Sequence, residues 1–487
     1  EFGSRSRLFW APDIFGYPAQ LPQILRHTGF DRFLTQKLSW NAFNQPLHHT
    51  FVWRGLDGSE VLTHFPPADT YNARCTPEEL RYHEANYKDA DRSSDAIYLF
   101  GWGDGGGGPD DDMLEALDRL EDLQGMPRVT VRTPDELFDR LESLGPTLHT
   151  LSGELYFELH RGTLTTQART KRLNRLAEHA LAELELLAAH RTVTGDDPPS
   201  RADLERLWTT VCLHQFHDDL PGSSITPVYE RTEQELAELI GEANTLARRA
   251  PHVTDRTALL NTTSHARTDV VEASNGSLRL VASGPFALAQ PAPEPAAPAA
   301  IVERDDGRLT LENEHVRATL APTGEVVSLV CRATGRDLFE QAAGQSWRLY
   351  ADTPTAWDAW DFDPPALETG RAVATTARVD VRSSGPLRAA VRFNRPLARH
   401  STMTVTAELD AGARALRLHH HIDWRDRDLL LKLAARTNLT NTRATYDIQY
   451  GALSRPTTMN NRVEIAQFEV PAHRWADLSE PGAGLAI

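Results

Sequence analysis

The stretch Trp10-Ala-Pro-Asp-Ile-Phe-Gly-Tyr-Pro-Ala-Gln-Leu-Pro-Gln23 organises the rest of this sequence. The apolar pair Leu8-Phe9 precedes it, which predicts a buried strand that ends here, a turn at Pro12-Asp13 and then a helix. Asp13 would lie at the carboxyl end of that strand, where α/β folds collect catalytic side chains. Aspartate after proline is also a common turn former, so position alone leaves both interpretations open.

The first third of the chain has the sequence pattern of an α/β layer. Short apolar runs alternate with helical stretches over residues 1–165, as in a parallel sheet covered by helices. The predicted strands are Arg7–Trp10, Phe33–Thr35, Val61–Phe65, Ala96–Phe100 and Val129–Arg132. The predicted helices are Gln20–Thr28, Thr76–Lys88 and Pro109–Asp122.

A glycine-rich run, Leu99-Phe-Gly-Trp-Gly-Asp-Gly-Gly-Gly-Gly-Pro109, follows one predicted strand and opens a helix. Such a loop can cradle a phosphate, but the Lys-Ser/Thr pair of a P-loop is absent and Asp104 would repel a phosphate. The glycines instead allow the backbone to come close to a ligand at the open edge of the sheet. A purely structural glycine turn is the alternative.

From Thr166 the apolar spacing becomes helical. Three amphipathic helices with short connections predict an antiparallel bundle over 166–252. Ser200 can cap the second helix, with Asp203 in its acidic first turn, and the third extends from about Glu230 to Arg249. The predicted apolar stripe of the first helix is Leu173, Leu176, Ala180, Leu184 and Leu187.

After Asn261 the pattern changes to alternating strands separated by Gly, Asn and Asp turns. Apolar residues two apart, as in Val405-x-Ala407-x-Leu409, are typical of a half-buried antiparallel sheet. This pattern predicts a β-sandwich over 253–487. The run from His419 to His421 cannot bind one ion, because consecutive strand residues point to opposite faces, so we expect these side chains to be solvated.

Composition narrows the classes of partner. Lys and Arg total 51 against 68 Asp and Glu, a formal charge of −17, which disfavours nucleic acid and anionic membranes and suits a neutral or cationic small substrate. No stretch reaches the ~18 apolar residues of a membrane helix. The widely separated Cys75, Cys212 and Cys331 indicate no disulfide framework and favour a cytoplasmic location. A homo-oligomer stays possible.

The stretch 10–23, together with Phe33-Leu-Thr-Gln-Lys-Leu-Ser-Trp-Asn41 and Trp53-Arg-Gly-Leu-Asp-Gly-Ser59, resembles glycoside hydrolase family 38, the retaining α-mannosidases. The resemblance implies that residues 1–165 are the carboxyl-side part of a seven-stranded β/α barrel. It implies that Asp13 is both the nucleophile and a zinc ligand, and that Asp104 is the general acid/base. One Zn²⁺ per active site and a mannose-containing oligosaccharide substrate are implied with it.

The segment Gln215-Phe-His-Asp-Asp-Leu-Pro-Gly222 resembles the family's Gln-x-His-Asp-x-x-x-Gly block. This implies that His217 binds zinc and that Asp218 contacts substrate, although a histidine at a helix end is otherwise a favourable cation near the helix dipole. The family's other two ligands come from a His-x-Asp motif, and no such pair precedes Asp13 here. We therefore expect an internal fragment of a longer chain, without the start of the barrel or the end of the sandwich, that alone binds zinc weakly and is inactive.

The sequence as a whole predicts a retaining, zinc-dependent α-mannosidase that removes terminal α-mannosyl residues through a glycosyl-aspartate. Two other functions stay open, a non-catalytic carbohydrate-binding protein and a zinc-dependent sugar deacetylase on a related barrel. The presence of Asp13, Asp104 and His217 together favours the hydrolase. The remaining candidates for substrate contact are Trp10, Phe15, Trp40, Trp102, Tyr156, Arg161 and Asp361.

Overall fold

The computed structural model describes residues 3–104, 106–248, 259–273, 275–295, 297–303, 306–339 and 344–487. The chain has mixed α/β, multidomain architecture. It divides into two compact units, one of residues 1–164, 441–478 and 486–487, the other of residues 165–440 and 479–485. The predicted boundaries at 165 and 252 stay predictions. Within the described ranges, none of the helices has the length and apolar character needed to cross a membrane.

The first unit is built on a five-stranded sheet of β1 (Leu8–Trp10), β2 (Arg32–Leu34), β3 (Thr50–Arg54), β4 (Glu60–His64) and β5 (His149–Ser152). The strands lie in the order β1-β2-β4-β3-β5. β1, β2 and β4 are parallel, whereas β3 is antiparallel to β4 and parallel to β5. The fully buried Phe33, Phe51 and Trp53 form its core. The residues that follow β1 and β2 therefore meet at one edge of the sheet.

Four helices accompany this sheet: α1 (Leu21–Thr28), α2 (Pro77–Asn86), α3 (Asp111–Leu120) and α4 (Pro134–Glu142). Thr76 and Glu79 form a capping box that starts α2. The predicted strands Ala96–Phe100 and Val129–Arg132 are wrong, and Phe100 makes only an isolated bridge with Ala73. A short apolar run forms a strand only if a neighbouring strand is available to pair with it, and the run itself does not show this. The sequence pattern missed β3 and β5 for the same reason.

The second unit begins with three helices, α5 (Ala168–Thr194), α6 (Arg201–His214) and α7 (Thr226–Arg248). The predicted cap of α6 is confirmed, because the Asp203 N–H donates to the Ser200 hydroxyl at 3.1 Å. Leu176 is 37% exposed, so its place in the predicted stripe of α5 is wrong. Arg249, the predicted end of α7, lies outside the described residues. The buried stripe of α5 follows the 3.6-residue period through Leu173, Ala177, Leu181, Leu184 and Ala188.

Antiparallel sheets make up the rest of the second unit. One sheet has five strands, in the order Arg336–Asp337, Val326–Cys331, Val316–Leu320, Leu309–Glu312 and Ala300–Glu303, and another has four, in the order Arg378–Ser384, Arg388–Pro396, Thr402–Asp410 and Arg417–Asp423. Val405, Ala407 and Leu409 are buried in the core between strands, as their alternation predicts. His419, His420 and His421 are exposed, which confirms that they are solvated. The strands are β6 (Arg267–Glu272), β7 (Leu278–Ser283), β8 (Gln290–Pro291), β9 (Ala300–Glu303), β10 (Leu309–Glu312), β11 (Val316–Leu320), β12 (Val326–Cys331), β13 (Arg336–Asp337), β14 (Gln345–Ala351), β15 (Arg371–Ala372), β16 (Arg378–Ser384), β17 (Arg388–Pro396), β18 (Thr402–Asp410), β19 (Arg417–Asp423) and β20 (Leu429–Ala435).

Residues 441–478 belong to the first unit and are bonded to it by buried polar groups. The Arg455 guanidinium donates to both oxygens of Glu154, at 2.7 and 2.9 Å. The Tyr156 hydroxyl donates to the Glu469 carbonyl at 2.6 Å, and Arg161 donates to the Ala466 carbonyl at 2.8 Å. The remaining elements are β21 (Arg443–Ile448), β22 (Gly451–Pro456), α8 (Arg462–Ala466), β23 (Ala476–Glu480) and β24 (Ala483–Ala486).

Three histidines of the first unit are buried beside the sheet. The His64 ring lies between the Thr50 hydroxyl, 2.9 Å from Nδ1, and the Ile97 N–H, which donates to Nε2 at 3.1 Å. Burial lowers the pKa of His49 and of His83 to about 4, and that of His64 well below its usual value. All three rings are therefore neutral in the folded protein near pH 7.

We expect the folded state to lose stability as the pH falls from about 6.5 towards 4. Unfolding lets each histidine bind a proton at its ordinary pKa, so the unfolded state binds more protons in this window. The loss should be about 2 kcal/mol for each histidine between pH 6.5 and 5. Urea unfolding at pH 7 and pH 5 measures it. In His83→Leu the pH dependence should shrink by one proton, and an unchanged slope would contradict the assignment.

Candidate active site

Asp13 lies just beyond the carboxyl end of β1, and Lys37 lies just beyond that of the adjacent parallel strand β2. The Lys37 ammonium forms an ion pair with Asp13 Oδ1. The Gln36 amide donates to the Pro12 carbonyl at 2.6 Å, which holds the loop before Asp13 against β2. The strand pattern correctly predicts that Asp13 follows a strand. Because β1 pairs with β2, the Lys37 ammonium that follows β2 lies next to the Asp13 carboxylate.

Lys37 is held in an aromatic surrounding. Its side chain is 3% exposed, whereas that of Asp13 is 25% exposed. The ammonium lies 4.0 Å from the centroid of the Trp40 ring and 5.3 Å from that of Phe15. Cation–π attraction and the Asp13 carboxylate together stabilise the buried charge. Trp40 and Phe15, predicted as sugar contacts, thus also surround this lysine.

Tyr71 joins the two predicted catalytic carboxylates. Its hydroxyl lies 2.9 Å from Asp104 Oδ1 and 3.4 Å from Asp13 Oδ2. Burial, and then the hydrogen bond to Asp104, raises the pKa of Tyr71 well above its usual value, so the phenol keeps its proton. A hydroxyl has one hydrogen and can donate to either carboxylate. The structure therefore brings Asp13 and Asp104 together around one donor.

The loop that carries Asp104 is attached to the segment that carries Tyr71. The Gly103 N–H donates to Asn72 Oδ1 at 2.8 Å, and Asn72 Nδ2 donates to Asp104 Oδ2 at 3.4 Å. A Cβ atom at Gly103 would lie 2.1 Å from Asn72 Oδ1, so only glycine permits this approach. The glycine thus brings the loop close to another part of the chain. Gly105 lies outside the described residues.

Replacing Tyr71 with phenylalanine should lower kcat/KM by roughly 10- to 100-fold in a reaction that depends on Asp13 and Asp104. The estimate corresponds to one hydrogen bond to a charged group, ~1.5–3 kcal/mol. Tyr82→Phe is a matched control, because Tyr82 also donates to a carboxylate, Asp69 Oδ2, at 2.5 Å. Steady-state kinetics of both variants in the full-length enzyme would measure the loss of kcat/KM in each. Equal losses in the two variants would mean that Tyr71 has no special role.

The other predicted contact residues of the first unit have different surroundings. Trp10 is exposed at the end of β1. The Arg74 guanidinium lies over the ring of Trp102, with Cζ 3.4 Å from the ring centroid. Tyr156 and Arg161 hold the 466–469 segment through the bonds given above. A role for any of them in sugar binding stays a prediction.

His217, Asp218 and Asp361 belong to the second unit. His217 lies in the turn after α6, with Nε2 3.5 Å from Asp218 Oδ2. The Ser223 hydroxyl donates to Asp218 Oδ1 at 3.0 Å and fixes this carboxylate. Asp361 is buried, and its Oδ1 accepts the Phe362 N–H at 3.0 Å. Their contacts with metal or sugar stay predictions.

Comparison with known proteins identifies the family. The model of the glycosyl hydrolases family 38 N-terminal domain matches residues 1–154, that of the alpha mannosidase middle domain matches 158–253, and that of the family 38 C-terminal domain matches 311–487. Alpha-mannosidase 2C1 of Homo sapiens is 40% identical over 511 aligned residues, which cover all of this chain and 49% of that protein. The chain belongs to glycoside hydrolase family 38.

Other relatives agree with this membership of family 38. An alpha-mannosidase of Saccharomyces cerevisiae is 33% identical over 513 residues, covering all of this chain and 46% of its own length. This chain thus spans about half the length of the curated relatives that it matches. The crystal structure of an alpha-mannosidase from Enterococcus faecalis V583 has a TM-score of 0.76 over 99% of this chain and 68% of that chain, at 16% identity, and shows that the fold is shared.

The donors expected of a family 38 zinc site are partly present. A carboxylate oxygen from Asp13 and an imidazole nitrogen from His217 are ligand types that Zn²⁺ uses. Within the described ranges, no group of three or more His, Cys, Asp or Glu side chains is arranged to hold a metal ion. Each of these two residues therefore carries a donor atom whose chemistry fits zinc.

Sequence reasoning missed Lys37, Tyr71 and Asn72. Two signals in the sequence point to Lys37. Lysine is rare, with four among 51 basic residues, and Lys37 lies inside the family-like stretch 33–41. Tyr71 and Asn72 lie in the connection after β4 with no motif of their own. Their role depends on the approach of the glycine-rich loop, which only the structure reveals.

Proposed function

We propose that this chain carries the catalytic residues of a retaining, zinc-dependent α-mannosidase that releases terminal α-mannosyl residues from oligosaccharides. The observation that carries the proposal is the Tyr71 hydroxyl, 3.4 Å from Asp13 Oδ2 and 2.9 Å from Asp104 Oδ1. These two oxygens can be no farther apart than the sum of those distances. That limit allows the ~5–5.5 Å between the carboxyl groups of a retaining pair.

Asp13 is the nucleophile in this proposal. Its carboxylate attacks C1 of the mannosyl residue and forms a glycosyl ester, while the bond from C1 to the leaving oxygen breaks. The Lys37 ammonium pairs with Oδ1 and fixes the rotation of the carboxylate. The same ammonium compensates the carboxylate again when the ester is hydrolysed.

Asp104 is the general acid and then the general base. It gives its proton to the leaving oxygen in the first step and takes a proton from the attacking water in the second. Tyr71 supports both states, since its hydroxyl donates to the ionised Asp104 and can turn to Asp13 when Asp104 carries the proton. Asn72 holds the second oxygen of Asp104.

Asp13 and His217 would hold the zinc ion in this proposal, together with the family's His-x-Asp pair. When bound, the ion acts as a Lewis acid towards sugar hydroxyls and orients the ring. The proposal also assigns the sheet of the first unit to a β/α barrel, helices α5–α7 to a three-helix bundle and the antiparallel sheets to a β-sandwich.

Calorimetric titration of the full-length enzyme with Zn²⁺, together with an aryl α-mannoside assay, tests this function. We expect stoichiometric binding, and loss of mannose release on chelation that added zinc restores. His217→Ala should weaken zinc binding, whereas His419→Ala, which removes an exposed strand histidine, is the control. Release of acetate from acetylated sugars without release of mannose would contradict the proposal and favour a deacetylase.

A further inference from the structure

We propose that Arg74 and Trp102 form the binding site for the leaving-group sugar, next to Asp104. This inference rests on the proposed function and adds the recognition of a second, neutral saccharide unit. The Arg74 guanidinium lies over the indole, with Cζ 3.4 Å from the ring centroid. Trp102 is 40% exposed although it is a large aromatic side chain. An ordered, exposed stack of this kind is available to a ligand.

The stack is held in place from several directions. Trp102 Nε1 donates to Asp110 Oδ2 at 2.9 Å, and the Asp110 side chain also caps α3. The Arg74 N–H donates to Glu79 Oε2 at 2.9 Å, which fixes the backbone beneath the guanidinium. The Gly107 N–H donates to the Trp102 carbonyl at 2.9 Å. The two side chains are therefore positioned before any ligand binds.

The position relative to Asp104 identifies the part of the substrate that would be bound. Residues Asn72 and Arg74 lie in an extended segment that forms a parallel bridge from Ala73 to Phe100, so their side chains share one face. Asn72 holds Asp104, and Arg74 comes next along that face. Tyr71 connects Asp104 to the nucleophile Asp13, and Asn72 accepts the N–H of Gly103, the residue after Trp102. Because the general acid contacts the leaving oxygen, the leaving-group sugar lies next to Asp104, and Trp102 is two residues before Asp104 in the chain.

The chemistry of the stack favours a neutral sugar. The planar guanidinium presents N–H donors along its edge that suit vicinal hydroxyls, and aromatic faces pack against the C–H face of a sugar ring. An anionic leaving group would meet Asp104, Asp110 and Glu79 beside a single arginine, so charge repulsion disfavours it. The site is thus suited to a second hexose of an oligosaccharide.

The test compares two substrates in the full-length enzyme, an α-mannosyl disaccharide and α-mannosyl fluoride, which has no leaving-group sugar. In Arg74→Met, the ratio of kcat/KM for the disaccharide to kcat/KM for the fluoride should fall by roughly tenfold, as expected for loss of a hydrogen bond from a charged donor. Arg74→Lys should show a smaller fall, because it keeps the charge but loses the planar stack. Arg81→Met, at an exposed position in α2, should leave the ratio unchanged.

An unchanged ratio in Arg74→Met, or an equal fall in Arg81→Met, would overturn this inference while leaving the proposed function intact. Failure of the wild-type enzyme to hydrolyse either substrate would instead overturn the proposed function, and this inference with it. Thermal unfolding of each variant confirms that the comparison is made between folded proteins.

Discussion

Asp13→Asn is expected to abolish turnover of α-mannosides by the full-length enzyme, with kcat lowered by roughly 10⁴-fold or more. An amide cannot form the glycosyl ester, and it also loses the ion pair with Lys37. The change also leaves the buried Lys37 ammonium without its carboxylate, so the free energy of unfolding should fall as well, although Asp13 itself lies at the end of a strand and is a quarter exposed. Steady-state kinetics on an aryl α-mannoside and thermal unfolding measure the two effects separately.

Asp31→Asn is the matched control for this variant. The Asp31 side chain is also 25% exposed and also forms an ion pair, with Arg7 at 2.5 Å. It lies at the opposite end of β2 from Lys37, so its loss should leave activity nearly normal. Near-normal activity in Asp13→Asn would remove the nucleophile assignment.

Asp104→Ala is expected to give a different kinetic signature. Hydrolysis of substrates with poor leaving groups should fall by roughly 10²–10⁴-fold, the usual contribution of a general acid. Substrates with good leaving groups need no protonation and should lose much less in the first step. Added azide should then speed release of the glycosyl group, because it attacks without a general base.

Asp112→Ala, an exposed carboxylate of the first turn of α3, is the control for Asp104. It should affect no substrate and should not respond to azide. If activated and unactivated mannosides suffered equally in Asp104→Ala, and azide had no effect, Asp104 would not be the acid/base.

Local patterns predicted much of the fold because local chemistry decides those elements. The N-cap at Ser200 and the alternation from Val405 to Leu409 are examples, since each depends on neighbours within a few residues. The segment 96–100 fails for the opposite reason. Its apolar character is typical of a strand. A strand must also pair with a partner that is distant in the sequence, and the residues of the segment do not specify that partner.

The candidate site divides in the same way. The position of Asp13 could be predicted because it follows an apolar run and a proline turn, and the catalytic role proposed for it came from the family-like motif. The bridge from Tyr71 to both carboxylates joins segments 33 and 58 residues away in the sequence. No periodicity encodes that contact, since it depends on the absence of a side chain at Gly103. The ion pair of Lys37 likewise needs the parallel pairing of β1 with β2.

Trapping of the glycosyl-enzyme tests the central claim most directly. A fluorinated α-mannosyl fluoride should react with the full-length enzyme and then hydrolyse slowly, because fluorine on the ring destabilises the oxocarbenium-like transition state. Peptide mass spectrometry would locate the label. We predict one fluoromannosyl group per active site, attached to the peptide that contains Asp13 and absent from Asp13→Asn. Label on a different residue, or hydrolysis with inversion and no label, would contradict the account.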